Sequence, residues 1–293
     1  MGYALLFSGQ GLQHPAMLPW LADDGWRATL ADPAEATRNA FAQPLLTRLA
    51  LAAWAQLSPL LPAPAAVAGY SVGELAAFSV AGVFDKDTAV HLAGLRAALM
   101  DTSAAAAPPT GLLGVSGLGP EQQAGLCERL GLSIAIRTDA FTVVVGGPRD
   151  ALALAADAVD EAGAQATPLR VALASHTPWM RGAAEAFGEV LQHTPFAAPR
   201  MPLFCNLTGG RVTNPAAGRS ALAGQIEHTV RWDEDMEGIA ERGVACVLEI
   251  GGGSALSRQW NKGFPAIPAR AADDFKSVSA LVNWVEKASA QSQ

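Results

Sequence analysis

Residues 65–78 read AAVAGYSVGELAAF, from Ala65 to Phe78: an apolar run up to Gly69, a Gly-x-Ser-x-Gly turn centred on Ser71, and then a helix-like pattern. A short apolar run that breaks at glycine and passes directly into a helix is the signature of a buried strand in a parallel α/β sheet. The two glycines have a physical task there. Without a Cβ they permit a strained turn that pushes the serine hydroxyl out of the packed layer, which is the geometry of a nucleophile elbow. The competing reading is a plain helix N-cap serine after a glycine turn.

Similar runs lie on either side. Tyr3–Phe7 breaks at Ser8-Gly9-Gln10-Gly11, and Ala245–Ile250 breaks at Gly251-Gly252-Gly253. Together with a run at Met201–Asn206, they alternate with helix-like segments near Leu45–Leu57, Asp87–Met100 and Glu234–Arg242, which predicts an α/β core with a parallel sheet. The low-complexity stretch Thr102–Thr110, ending in a proline pair, marks a boundary. Beyond it the pattern reads strand (Leu112–Ser116), helix (Pro120–Leu130), strand (Leu132–Ile136), strand (Thr142–Gly146), helix (Pro148–Ala162) and strand (Thr167–Ala172). That βαββαβ order is ferredoxin-like. The expected organisation is an α/β-hydrolase-like core from residues 1–110 and 173–293, carrying an inserted ferredoxin-like α+β subdomain over 111–172.

With 293 residues, half of them apolar, the chain can bury a large core. No run approaches the roughly 20 apolar residues of a membrane span, and the opening MGYALLFSGQ lacks the features of a secretory leader. A cytoplasmic protein is expected, with no membrane partner. A formal charge of −7 without a basic block gives no footprint for nucleic acid. Cys127, Cys205 and Cys246 are far apart and show no metal-ligand spacing, so reduced buried thiols and no metal site are expected.

A serine hydroxyl needs a base within hydrogen-bond reach. Of five histidines, His176 stands out, because Ala174-Ser175-His176-Thr177-Pro178 is a turn at the junction between the small module and the core. Spacing alone leaves capping or surface roles open. Arg96 falls within the Leu92, Leu95 and Leu99 stripe of its helix. Such an arginine either snorkels to water along its stem or clamps an anionic group in paired hydrogen bonds. Gly9-Gln10-Gly11 is either a simple turn or a source of backbone N–H groups for an oxyanion, with Val72 supplying the second donor.

Taken together, these stretches resemble the malonyl-CoA:acyl carrier protein transacylase family, and most closely the malonyl transferase (epsilon) subunit of bacterial malonate decarboxylase. The similarity runs from FSGQGLQHPAML through GYSVGELAAF, HLAGLRAALM, ASHTPWM and QIEHTVRW to LEIGGGSAL. The resemblance implies Ser71 as nucleophile and His176 as its general base. It also implies the main-chain carbonyl of Gln225 as the partner of His176, oxyanion donors at Gln10 and Val72, and Arg96 paired with a malonyl carboxylate. It implies malonyl-CoA as substrate, the thiol of an acyl carrier protein prosthetic group as acceptor, and no permanently bound cofactor. Under the malonate decarboxylase reading, the carrier is the decarboxylase carrier subunit. Basic contacts to an acidic carrier would fall among Arg200, Arg211, Arg258 and Lys262 by charge alone.

The chain departs from the family pattern at three places: Ser8 stands where proline is usual, Tyr70 where many members have histidine, and Arg137-Thr138-Asp139 where asparagines are common. Tyr70 points toward the decarboxylase subunit. Transferases of fatty-acid or polyketide synthesis are the alternative within the family. An α/β-hydrolase esterase is the alternative outside it, and would require an acidic triad member, with Asp101, Asp139, Asp150, Asp157 and Asp160 in the right interval.

Overall fold

The computed structural model describes residues 2–11, 13–169 and 171–291. In chain order the strands are β1 (Tyr3–Phe7), β2 (Ala66–Gly69), β3 (Thr110–Ser116), β4 (Ser133–Asp139), β5 (Thr142–Pro148) and β6 (Gln165–Pro168). There follow β7 (Phe204–Cys205), β8 (Gly210–Arg211), β9 (Val230–Arg231), β10 (Cys246–Ile250) and β11 (Ala269–Ala271). No helix among the described residues is long and apolar enough to cross a membrane.

The four-stranded sheet has the order β11-β10-β1-β2, with every pair parallel. All residues of β1 and β10 are buried, as strands covered on both faces must be. Successive side chains of β1 alternate between two apolar clusters: Leu5 and Phe7 pack with the long helices on one face, Ala4 and Leu6 with Trp232 and Trp260 on the other. The register sets Phe7 beside both Gly69 and Ile250. The loops beginning at Ser8, Tyr70 and Gly251 therefore leave from one edge of the sheet, the carboxyl edge where open α/β sheets place their sites.

The second sheet has the order β6-β3-β5-β4-β9. Its first four strands are antiparallel neighbours in the arrangement that a βαββαβ chain makes, with helices Pro120–Leu130 and Arg149–Glu161 between them. The molecule is thus an α/β core with a smaller α+β sheet, as expected, but β9 comes from outside residues 111–172 and adds a fifth strand parallel to β4.

Several boundaries differ from the sequence reading. The run Met201–Asn206 does not enter the core sheet: Leu203 makes one parallel bridge to Val67, and only Phe204–Cys205 pairs, antiparallel to β8. Pro202 explains this, since it has no N–H to donate to a ladder, though its carbonyl accepts from the Val67 amide at 2.9 Å. The first long helix begins at Asn39 and passes through Pro44, where the expectation began it at Leu45. The helix carrying Arg96 runs from Lys86 to Ala105, so the first four residues of the low-complexity stretch are helical and only Ala106, Ala107 and the proline pair lie in the connection to β3. The helix expected over Glu234–Arg242 runs from Trp232 to Ala240. The last small-module strand lies at Gln165–Pro168, earlier than the expected Thr167–Ala172, and Leu169 adds one bond to Leu112 O at 3.0 Å.

Leu5 is fully buried at the centre of this arrangement. Its truncation in Leu5→Ala should lower unfolding free energy by about 2–5 kcal/mol in urea denaturation, through lost burial plus an unfilled cavity.

Candidate active site

Ser71 lies two residues past the end of β2 and two before the helix Gly73–Val80, with its own backbone in the left-handed region at φ 55°. A non-glycine residue there is strained and must be held by its surroundings. The flanking glycines show why no other residue fits: a Cβ on Gly69 would lie 2.1 Å from the Gly73 carbonyl carbon, and one on Gly73 would lie 2.3 Å from Phe7 O. The elbow is therefore folded tightly against the end of β1.

His176 also has a left-handed backbone, at φ 63°, and lies just before the short 3₁₀ turn Pro178–Met180. Its amide donates to Ile226 O at 2.8 Å. One ring nitrogen, Nδ1, is 2.5 Å from Gln225 O. A carbonyl can only accept, so Nδ1 carries the proton and Nε2 is left to accept from the Ser71 hydroxyl, 2.8 Å away. Gln225 caps the carboxyl end of the helix Pro215–Gly224, where backbone carbonyls lack intrahelical partners. A helix-end carbonyl thus occupies the place that a carboxylate holds in other triads. None of the five aspartates considered for an esterase is at Nδ1.

Arg96 is 1% exposed. Its Nη1 donates to Gln43 Oε1 at 2.7 Å, while Nη2 lies 3.4 Å from both Ser71 Oγ and Gln225 Oε1. Nε has no partner among the described residues. No carboxylate forms an ion pair with it among the described residues, so the guanidinium is buried with only neutral hydrogen-bond partners. Burial lowers its pKa to about 10, with Glu74 opposing the shift, so it remains charged near neutrality. The same surroundings act on His176. Burial first, and then the Arg96 charge, lower its pKa to about 3 against the weaker opposing bond to Gln225, so its ring is neutral.

Gln10 and Val72 complete the edge. Both line the cleft with Ser71, Arg96 and His176, and among the described residues neither amide has a hydrogen-bond acceptor. The Gln10 side chain points elsewhere, donating to Thr37 O at 3.1 Å. The cavity measures about 730 Å³ and extends from these residues to the strands of the smaller sheet, including Val115, Thr138 and Val143. All six residues singled out in the sequence thus converge: five line one cleft, and the Gln225 carbonyl lies directly behind the imidazole.

Sequence reasoning missed four residues of this site. Gln43 orients Arg96 from the first long helix and stands one residue before Pro44, ahead of the helix start expected at Leu45. Asn206 binds the Ser71 amide through Oδ1 at 2.7 Å and is itself fully buried. Glu74 and Asp235 are buried carboxyl groups in contact with Asn206, both with pKa values raised well above the ordinary range, chiefly by burial. Glu74 had a signal, an acid within the first turn after Gly73; Asn206 and Asp235 come from distant segments and had none.

Comparison with known proteins agrees with this geometry. The acyl transferase domain family model matches residues 28–287. The malonyl CoA-acyl carrier protein transacylase of Mycobacterium tuberculosis H37Rv is 34% identical over 301 residues, covering 96% of this chain and 99% of that protein. The protein of the same name from Escherichia coli K12 is 30% identical over 310 residues, covering 96% and 98%. Among solved structures, MCAT from Mycobacterium tuberculosis superposes with a TM-score of 0.82 at 32% identity, over 97% of this chain and 99% of that chain. A type II PKS acyl-carrier protein in complex with its malonyl-transacylase gives a TM-score of 0.89 at 29% identity, over 98% and 100%. With a family match across most of its length and relatives aligned nearly end to end, the chain belongs to the acyl transferase domain family.

Proposed function

We propose that the protein transfers a malonyl group from malonyl-CoA to the thiol of an acyl carrier protein, through an ester on Ser71. The observation that carries this reading is the buried guanidinium of Arg96, without a carboxylate partner among the described residues, 3.4 Å from a serine hydroxyl that is itself 2.8 Å from a neutral imidazole nitrogen. A buried cation needs an anion to match it. A malonyl group supplies that anion at one end and an electrophilic thioester carbonyl at the other.

The cycle follows from the hydrogen bonds. His176 Nε2 takes the Ser71 proton as Oγ attacks the thioester carbon. The imidazolium so formed is stabilised by the Gln225 carbonyl at the helix end. The developing oxyanion is held by the amides of Gln10 and Val72, which have no other acceptor among the described residues. His176 returns the proton to the departing coenzyme A sulfur. The carrier thiol then enters, gives its proton to His176 and takes the malonyl group, restoring the Ser71 hydroxyl. In this reading residues 1–110 and 173–293 supply the reacting groups, and the sheet of residues 111–172 forms the opposite wall of the cleft, keeping water from the ester.

The transacylases named above favour a carrier of fatty-acid or polyketide synthesis. The malonate decarboxylase carrier suggested by the resemblance at Tyr70 has no counterpart among them. Tyr70 itself lines the cleft, its ring edge-on to Trp232 at 5.2 Å. Transfer assays with purified carriers of each kind decide between the settings: a fatty-acid or polyketide carrier is expected to be the better acceptor.

Brief exposure to malonyl-CoA followed by mass spectrometry should show one malonyl group on Ser71 and none on Ser71→Ala. Labelling elsewhere, or none on the wild-type protein, overturns the reading. Arg96→Ala should lower kcat/KM for malonyl-CoA by roughly 100-fold or more while leaving acetyl-CoA little changed, since only the former loses a charge-assisted pair.

The pH dependence follows from the state of His176. Its ring is held neutral well below the ordinary imidazole value of 6.5, down to about 3. Acylation measured as kcat/KM should therefore stay level from about pH 8 to about pH 5, without an acid limb near the ordinary value. Stability moves differently: below 6.5 the unfolded chain takes a proton that the folded state refuses until about 3, so the fold weakens as pH falls through that window. Rates read within seconds of a pH jump separate the two effects.

A further inference from the structure

Asn206 lies behind the elbow, away from the cleft, and is fully buried. Its hydrogen-bonding groups are all engaged. Oδ1 accepts from the Ser71 amide at 2.7 Å, and the two Nδ2 hydrogens go to Gly69 O at 2.7 Å and Asp235 Oδ2 at 2.8 Å. Its own amide donates to Glu74 Oε1 at 2.8 Å, and its carbonyl accepts from the Arg231 amide at 2.9 Å. One side chain thus grips the residue two before the nucleophile and the nucleophile itself, while its backbone is tied to the helix that follows the elbow and to β9.

This placement answers a question that the glycines leave open. Gly69 and Gly73 remove the obstacles to a tight turn, but nothing in a glycine holds Ser71 at φ 55°. A left-handed non-glycine residue persists only where its surroundings over-determine it. The Ser71 amide, directed at Asn206 Oδ1, and the Gly69 carbonyl, directed at Asn206 Nδ2, fix the peptide planes on either side of Tyr70. We infer that Asn206 is the positioning residue of the transferase site: its side-chain amide locks the backbone of residues 69–71 so that the Ser71 hydroxyl stands within reach of His176 Nε2.

The inference deepens the proposed function and rests on Ser71 being the nucleophile. It also explains why the position calls for an amide. An acceptor is required toward Ser71 and two donors are required toward Gly69 and Asp235, and only an amide side chain of this length offers both. A carboxyl group there would face Asp235 directly, with Glu74 held on the backbone amide of the same residue and the neighbouring Cys205 thiol engaged with Thr208 Oγ1 at 3.2 Å. Ionising it would set charge against the Gly69 carbonyl and the Asp235 side chain.

The test is single-turnover malonylation of the full chain by malonyl-CoA, followed by mass spectrometry, for the wild type, Asn206→Ala and Asn206→Asp, with near-UV circular dichroism as a check on folding. A positioning role lowers the acylation rate constant of Asn206→Ala by roughly 100-fold with the amplitude intact and the half-saturating malonyl-CoA concentration within about 3-fold of wild type. Asn206→Asp keeps the acceptor for Ser71 and should lose less, with its rate falling as pH rises while the wild type stays level. Should Asn206→Ala not fold, Asn206→Asp decides alone by that pH dependence. A wild-type rate constant in the folded variants, whether at full or reduced amplitude, means that Asn206 only supports the fold and overturns the inference. Absence of Ser71 labelling in the wild type overturns instead the reading on which it rests.

Discussion

The site depends on one strained residue held at the end of a buried strand. Ser71 can occupy the left-handed region because β2 ends at Gly69, the next helix starts at Gly73, and a methyl group on either glycine would overlap backbone, that of Gly73 for the first and Phe7 O for the second. That packing is possible only while β1 lies alongside, since Gly73 packs over Phe7 O. The parallel register of β10, β1 and β2 is therefore a condition of the chemistry as well as of the core. It brings three loops to one edge and leaves amides, a hydroxyl and an imidazole facing the same space.

Burial then sets the electrical character of that space. Arg96, His176, Glu74 and Asp235 are all removed from water, and desolvation is the largest influence on each. The outcome differs with the sign of the group. The imidazole and both carboxyls are pushed toward their neutral forms, whereas the guanidinium, starting from a much higher pKa, keeps its charge. A buried cation with no ion-pair partner among the described residues is an unfavourable arrangement that an entering carboxylate would relieve. Under the proposed function, that unpaired charge is what would favour an acyl group bearing a carboxylate.

The sequence made the parallel sheet legible because its strands are short, apolar and punctuated by glycine at Ser8–Gly11, Gly69–Gly73 and Gly251–Gly253. The convergence of Ser71, His176 and Arg96 rested on local signals of the same kind: a turn motif, a junction loop and a charge in an apolar stripe. What escaped was whatever depended on distance in the chain. Met201–Asn206 has the composition of a core strand, yet Pro202 prevents a ladder, and its last residue instead bonds the elbow at Ser71, 135 positions away in the chain. Gln43 was hidden by Pro44, which a helix can carry near its start without ending. The fifth strand of the smaller sheet, β9, has only two residues and no periodicity to announce it.

The central claim is that one cleft seats both ends of a malonyl group, and a crystal structure of the protein trapped as its Ser71 malonyl ester tests it most directly. The account predicts the free carboxylate on the Arg96 guanidinium and the ester carbonyl oxygen between the amides of Gln10 and Val72. A carboxylate turned out to solvent, with Arg96 still bound only to Gln43 and Gln225, would contradict it.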